Sequence, residues 1–258
     1  HTDWLGADRE AIGAEKAGIA RAWKPLVLGE VDSPSSVLRH AYAIGANALR
    51  LGSDFFHEPV DSGHWRWREV GAELLLPMPV LSAPAQRANA ASAIVALRAL
   101  PGDAIPDEAF AQGVAQATLP GRLQRVPHGE VDVVLDVGHN PQAARELAAW
   151  LQAHSAAGET HVVFAALADK DVTSVVDAFA GTPLHWHLAG LDAGPRSQSA
   201  DRLAARLEGA VAGRALRHPR VEDALAAALA GARAGDRVLV FGSFHTVAEA
   251  LRALHSGR

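Results

Sequence analysis

From residue 120 onward the chain repeats one pattern: a short β-branched or otherwise apolar run, a turn, then a stretch with helical spacing. Val131–Val137, His161–Ala166, Leu184–Leu188 and Arg237–Phe241 read as strands, with a weaker one at Ala215–His218. Helices are predicted near 142–153, 172–180, 199–208, 221–232 and 246–255. Alternation at this spacing leaves few folds open. It specifies a mainly parallel sheet covered by its intervening helices, with right-handed crossovers. The run Val131–Leu135, broken only by Asp132, ends in Asp136, Gly138, His139 and Asn140, and Pro141 then opens a helix. Proline suits the first helical position because its missing N–H has no partner there anyway. The carboxyl ends of parallel strands are where α/β proteins place ligands. The same residues also fit an ordinary β–α turn with Asp136 and Asn140 as capping residues.

Upstream the pattern is mixed. Asp8 is placed to cap a helix through Ile19, Pro25–Leu28 reads as a strand, and Ser33-Pro34 starts a helix predicted to reach about Asn47. Short strands follow between Leu49 and Leu76, with His64-Trp65-Arg66-Trp67-Arg68 alternating as a hairpin strand does; Ala88–Leu100 and Asp107–Gln116 read as helices. The change of pattern places a domain boundary near residue 120, with Pro120-Gly121 as hinge, giving expected domains 1–120 and 121–258. The chain opens on His1, without an initiator methionine, which predicts a longer parent polypeptide.

Composition removes several classes of chemistry. Cysteine is absent, so disulfides, thiolate catalysis and Cys–zinc sites are excluded, and a cytoplasmic location fits. A net charge of −5 and a pI near 6.2 argue against general affinity for nucleic acid or anionic membrane. No apolar run reaches the roughly 18 residues of a membrane span.

Two polar clusters remain as candidate sites. His1 with Lys16 is too small a set for magnesium, which takes six oxygen-type ligands. An unmodified lysine also repels a cation, so on residues alone Lys16 reads as a surface lysine. The second cluster combines Arg122, Asp136, His139 and Asn140 with Gly242-Ser243-Phe244-His245-Thr246, which follows another strand and precedes another helix. Helix-start N–H groups attract anions, and an arginine holds phosphate or carboxylate through two parallel bonds. This set suits a nucleotide or an amino acid. His185 and His187 share one strand face, as a metal pair or as part of a half-exposed strand. Trp65 and Trp67 read as an apolar face, with Arg66 and Arg68 solvated. Asp169-Lys170-Asp171 reads equally as a site loop or as a turn capping the next helix.

His1–Gly6, Arg9–Ile19, Leu119–Gln124, Asp136–Pro141, Asp169–Asp171 and Gly242–Val247 together resemble the bacterial bifunctional dihydrofolate synthase/folylpolyglutamate synthase, of the Mur ligase superfamily. The likeness runs in order through almost the whole chain. It implies the rest of a Mur-type central ATPase domain followed by a Rossmann-like carboxyl-terminal domain. It also implies an ADP-forming ligase of folate biosynthesis and one-carbon metabolism, which joins L-glutamate to dihydropteroate or a folate through an acyl phosphate. ATP and Mg²⁺, and K⁺ as a further cation, are the implied cofactors; a monomer is expected. By position, His1 resembles a magnesium ligand and Lys16 the lysine that the family carbamylates, which turns a cation into a metal-binding anion. Lys16 and His139 are thus the candidate catalytic residues. Asn89, beside Gln86, resembles the adenine contact. Arg122 resembles the arginine that reaches ATP phosphate, and Asp136 the ribose or nucleotide contact. His139 and Ser243 resemble residues at the glutamate end. The family's Gly-Lys-Ser/Thr phosphate loop has no counterpart, since none of Lys16, Lys24 and Lys170 follows a glycine. The chain alone is therefore expected to be inactive. Alternatives are a Mur-type ligase acting on a UDP-linked precursor, or a non-catalytic nucleotide-binding module.

Overall fold

The computed structural model describes residues 8–81, 83, 85–102, 104–207, 209, 211 and 215–256. His1 and the rest of the opening motif lie outside them. The chain divides into two compact units, His1–Ala117 and Thr118–Arg258.

In the first unit, α1 (Arg9–Ala17) starts where expected, with the Asp8 carboxylate accepting from the Ala11 N–H at 2.7 Å. Strand β1 (Pro25–Leu28) pairs in parallel with β2 (Asn47–Arg50) across helix α2 (Ser35–Ile44). The predicted run of α2 to Asn47 is overturned by Gly45. At φ 71° its N–H turns back to the carbonyls of Ala41 and Tyr42, and the next residues enter β2.

Strands β3 (Phe55–Pro59), β4 (His64–Glu69) and β5 (Ala72–Pro77) form an antiparallel meander. Trp65 and Trp67 are fully buried on one face with Phe55, Leu74 and Leu76, against α3 (Gln86–Arg98) and α4 (Asp107–Gln116). Their indole N–H groups donate to Pro77 O (2.8 Å) and Ala91 O (3.2 Å), which removes the cost of burying a polar group. Arg66 pairs with Glu58 and Glu73 on the other face.

The second unit is a six-stranded sheet in the order β10-β9-β8-β11-β7-β6. Its strands are β6 (Gln124–His128), β7 (Val131–Asp136), β8 (Thr160–Phe164), β9 (His185–Ala189), β10 (Leu216–His218) and β11 (Arg237–Phe241). All pairs are parallel except β6–β7. The covering helices are α5 (Pro141–Ala153), α6 (Val172–Asp177), α7 (Ala200–Arg206), α8 (Val221–Gly231) and α9 (Phe244–Ser256). The last strand, β11, lies between β7 and β8 with every residue buried, which is why Val238–Phe241 reads as an unbroken apolar run after Arg237. One face packs Val133, Leu135, Val163, Val238 and Val240 against Val221, Leu225, Ala228, Val247 and Leu254. Strand β6 was not expected: Gln124–His128 is mostly polar and contains Pro127, which is tolerated because β6 is an edge strand.

Charge holds the amino ends of these strands. Asp236 accepts from the N–H groups of Glu159 and Arg233, both at 2.7 Å. Buried Arg237 bonds Asp132 (3.0 Å) and His154 O (2.6 Å), with its guanidinium 4.8 Å from the Trp150 ring centre. The histidines of β9 belong to a larger set than their own strand reveals. His161 Nδ1 lies 3.5 Å from His187 Nε2, and His187 Nδ1 lies 3.2 Å from His218 Nε2. His185 stacks on His161 at 5.1 Å. Only His185 is exposed on β9, so the half-exposed strand expected there is instead mostly buried. Among the described residues no group of three or more imidazoles or carboxylates is placed to hold a metal ion.

Candidate functional site

Arg122, Asp136, His139 and Ser243 all lie at the carboxyl edge of the second sheet. Asp136 ends β7. Its Oδ1 accepts from Gly138 N at 2.7 Å, and its Oδ2 from Leu123 N at 3.0 Å. Burial pushes its carboxyl above the ordinary range, opposed by these two N–H bonds and by the nearby Arg122 guanidinium. The turn carrying Arg122 is folded tightly onto β7. Val137 N donates to Gly121 O (2.8 Å), Gly121 N donates to the Gln124 side chain (2.9 Å), and Leu123 takes a left-handed φ of 46°. Gly121 (φ 69°) leaves no room for a side chain, since a Cβ there would sit 2.6 Å from Val137 Cγ1. The guanidinium of Arg122 lies 5.9 Å from the centre of the Phe244 ring, so the turn before β6 meets the start of α9.

His139 Nδ1 lies 3.0 Å from Val137 O. A carbonyl only accepts, so this nitrogen carries the proton, and in the neutral ring Nε2 holds the free lone pair. Asn140 caps α5 by accepting from Ala143 N at 2.9 Å. Ser243 is buried and engaged within its own loop: Oγ accepts from Thr246 N (3.0 Å) and lies 2.7 Å from Thr246 Oγ1. Thr246 Oγ1 donates to Ala165 O at 2.8 Å, so the shared hydroxyl bond is donated by Ser243. Ser243 thus fixes the start of α9 and ties the β11 loop to the β8 loop. Asp171 caps α6 through Ser174 N at 3.1 Å, as one of the two sequence readings has it.

The other candidates belong to the first unit. Lys16 is exposed on α1 and lines a cavity of about 340 Å³ with Arg9, Leu28, Glu30 and Ser33. Asn89 is exposed on α3 and donates to the Gln86 side chain at 3.2 Å. His1 lies outside the described residues, and the described residues around Lys16 do not by themselves make a divalent-cation site. Sequence reasoning missed the Leu123 N–H, which holds Asp136, and the Gln124 carboxamide, which closes the turn. Backbone donors carry no sequence signal; Gln124 follows the Gly121-Arg122-Leu123 run directly and was within reach.

Residues 121–244 match the Mur ligase glutamate ligase domain. The chain is 38% identical over its whole length to the dihydrofolate synthase/folylpolyglutamate synthase of Escherichia coli strain K12, covering 58% of it. It is 34% identical over 96% of its length to the Haemophilus influenzae counterpart, covering 60%. Among solved structures, E. coli FolC in complex with DHPP and ADP aligns over the whole chain and 59% of its own, with TM-score 0.88 at 38% identity. A bifunctional folylpolyglutamate synthase/dihydrofolate synthase with Mn, AMPPNP and L-glutamate bound aligns over 99% of this chain and 59% of its own, with TM-score 0.84 at 40% identity. The chain therefore spans about three fifths of the length of the relatives it matches. No described helix is long and apolar enough to cross a membrane. The mostly parallel sheet of the second unit, within which residues 121–244 match, has the architecture of the Mur ligase carboxyl-terminal domain, and the chain is similar over its whole length to the bacterial dihydrofolate synthase/folylpolyglutamate synthases.

Proposed function

We propose that this chain, in a polypeptide of its relatives' full length, serves an ATP-dependent ligase that adds L-glutamate to dihydropteroate or to a tetrahydrofolate (poly)glutamate. The substrate carboxylate attacks the γ-phosphorus of ATP, giving an acyl phosphate and ADP. The glutamate amine then attacks the acyl carbon and expels phosphate, and the amine proton passes to a base as the amide forms. Residues 1–120 are assigned to the ATP-binding domain and 121–258 to the glutamate ligase domain. The observation that carries this reading is Asp136, pinned by two backbone N–H groups beside Arg122 at the end of β7.

In this scheme Arg122 meets ATP phosphate, where charge stabilisation and positioning account for most of phosphoryl-transfer catalysis. Asp136 and Asn89 receive the nucleoside. The free Nε2 of His139 and the Ser243 loop face the glutamate end. Mg²⁺, for which the Mn-bound relative is the support, is assigned to His1 and a carbamylated Lys16. Since the described residues around Lys16 do not complete a cation site, no step is routed through the metal. K⁺, a monomeric state and a cytoplasmic location stay part of the proposal.

The test is glutamate-dependent ADP release with dihydropteroate, in a chain of the relatives' full length. Arg122→Ala and Asp136→Ala are each expected to lower kcat/KM by about tenfold or more, since a charge-assisted hydrogen bond contributes about 1.5–3 kcal/mol. Turnover only with a UDP-linked precursor, or unchanged turnover in both variants, refutes the scheme.

A further inference from the structure

The loop after β8 is clamped by side chains that the scheme above leaves without a task. Gln198, buried in the β9–α7 connection, donates from Nε2 to Ala166 O at 2.5 Å and accepts at Oε1 from Arg206 Nη1 at 3.0 Å. Arg206, at the end of α7, also donates from Nη2 to Lys170 O at 2.5 Å. One guanidinium and one carboxamide thus hold both ends of the segment 166–170. From the opposite side Thr246 holds Ala165 O at 2.8 Å. Successive carbonyls at 165 and 166 are pinned from the loops of the two neighbouring strands, β11 and β9.

A solvated turn needs no such bracing, because water satisfies its carbonyls. The braced segment carries Lys170, the lone lysine in the sequence from 118 to 258. Its side chain is only 14% exposed, and its ammonium meets Asp169 at 3.2 Å. Arg196 also approaches Asp169, at 3.9 Å, so that carboxylate is shared between two cations. The sheet order sets β8 beside β11, whose loop carries Ser243, and away from the Arg122 turn before β6. The cation therefore belongs with the amino-acid end of the edge rather than with the nucleotide end.

We propose that Gln198 and Arg206 are positioning residues, which hold the 166–170 segment so that Lys170 meets an anionic group of the amino-acid substrate. This rests on the ligase reading. The test uses a chain of the relatives' full length and compares Arg206→Ala, Arg206→Lys, Gln198→Ala, Lys170→Ala and the double variant Arg206→Ala/Lys170→Ala. Steady-state kinetics and urea midpoints are measured for each.

Arg206→Ala is expected to raise KM for glutamate about tenfold or more, as loss of one charge-assisted bond does, and to leave KM for ATP within about twofold. Gln198→Ala should move the same constant in the same direction. The double variant should be no worse than Lys170→Ala, because residues that act through one another are not additive. Arg206→Lys, which keeps one of the two bonds, should fall between and stands in if Arg206→Ala does not fold. An unchanged KM for glutamate, additive effects, or equal losses toward both substrates overturns the proposal alone. No glutamate-dependent turnover by the unsubstituted enzyme overturns the ligase reading, and this proposal with it.

Discussion

The row of imidazoles beneath α8 makes the second unit acid-sensitive in a window set by His187. That ring is 4% exposed and has His161 on one side, His218 on the other and His185 on its own strand. Burial first, and then these three neighbours, lower its pKa from 6.5 to about 4. His161 and His218 are lowered as well, mainly by burial; Asp236 and Glu159 oppose this at His161, and Asp223 at His218. The sign follows from linkage. Above pH 6.5 the ring is neutral in both states and its contribution is whole. As pH falls below 6.5 the unfolded chain takes up a proton that the folded chain refuses, and stability declines until the folded ring also protonates near 4. Each pH decade is worth about 1.4 kcal/mol, so His187 alone accounts for a loss of about 3 kcal/mol. The carboxylates held low by hydrogen bonds, Asp236 among them, lose their contribution only below their ordinary value of 3.8, outside this window. The measurement is urea unfolding at intervals from pH 7.5 to 4.5, read by amide exchange in β9 and β11. His187→Leu strips partners from His161 and His218, so its absolute stability also falls; the informative quantity is the slope on pH. That slope should flatten by about half or more relative to the unsubstituted chain. Parallel curves for the two proteins would refute the linkage argument.

Gly242→Ala is expected to destabilise the second unit by about 2–4 kcal/mol, because the residue sits at φ 122° and an added Cβ would lie 2.3 Å from Ala165 O and 2.8 Å from the Phe164 ring. Urea titration at neutral pH measures this, and a loss below about 0.5 kcal/mol contradicts the close approach. Trp67→Phe removes the donor to Ala91 O and replaces the indole that Arg98 faces at 5.4 Å with a smaller ring. It should lower the first unit by about 1–3 kcal/mol while amide exchange in the second unit stays unchanged.

Much of the second unit was legible because its inner strands are buried on both faces. Val238–Phe241 announces its strand through apolar content, and Pro141 marks the start of α5 without ambiguity. The misses have separate causes. Gln124–His128 is an edge strand, so pairing with β7 rather than burial makes it a strand, and pairing leaves little mark on composition. The end of α2 depended on Gly45 adopting a left-handed φ, a possibility that the apolar spacing through Ile44 masked. At the site, the cluster of Arg122, Asp136 and His139 was readable as polar residues at a strand end. What holds Asp136 was not, since Leu123 and Gly138 act through backbone N–H groups. The histidine row was missed for a topological reason: His161, His187 and His218 lie on three strands, and only the parallel order β8-β9-β10 brings them together.

The His187 and Gly242 substitutions act through different physics, and that makes the predictions separable. In the imidazole row, which runs from His161 near the start of β8 through His187 in the middle of β9 to His218 at the end of β10, protonation decides, and the rings stay packed while neutral. At the ligand edge close backbone approach adds to the hydrogen bonds that hold Asp136. Gly121, Gly138 and Gly242 each occupy a place where a Cβ would come within 3 Å of a neighbouring atom: Val137 Cγ1, Asp136 Oδ1 and Ala165 O. Glycine clashes do not titrate, so Gly242→Ala should lower stability by the same amount at pH 7.5 and at pH 5, leaving the slope on pH intact. His187→Leu should change that slope. Since the two positions share no partner, the double variant should show the flattened slope of one and the constant offset of the other, additive to within about 0.5 kcal/mol. Coupling well beyond that would mean that the imidazole row and the ligand edge exchange strain through β8, and the two contributions would not be separable.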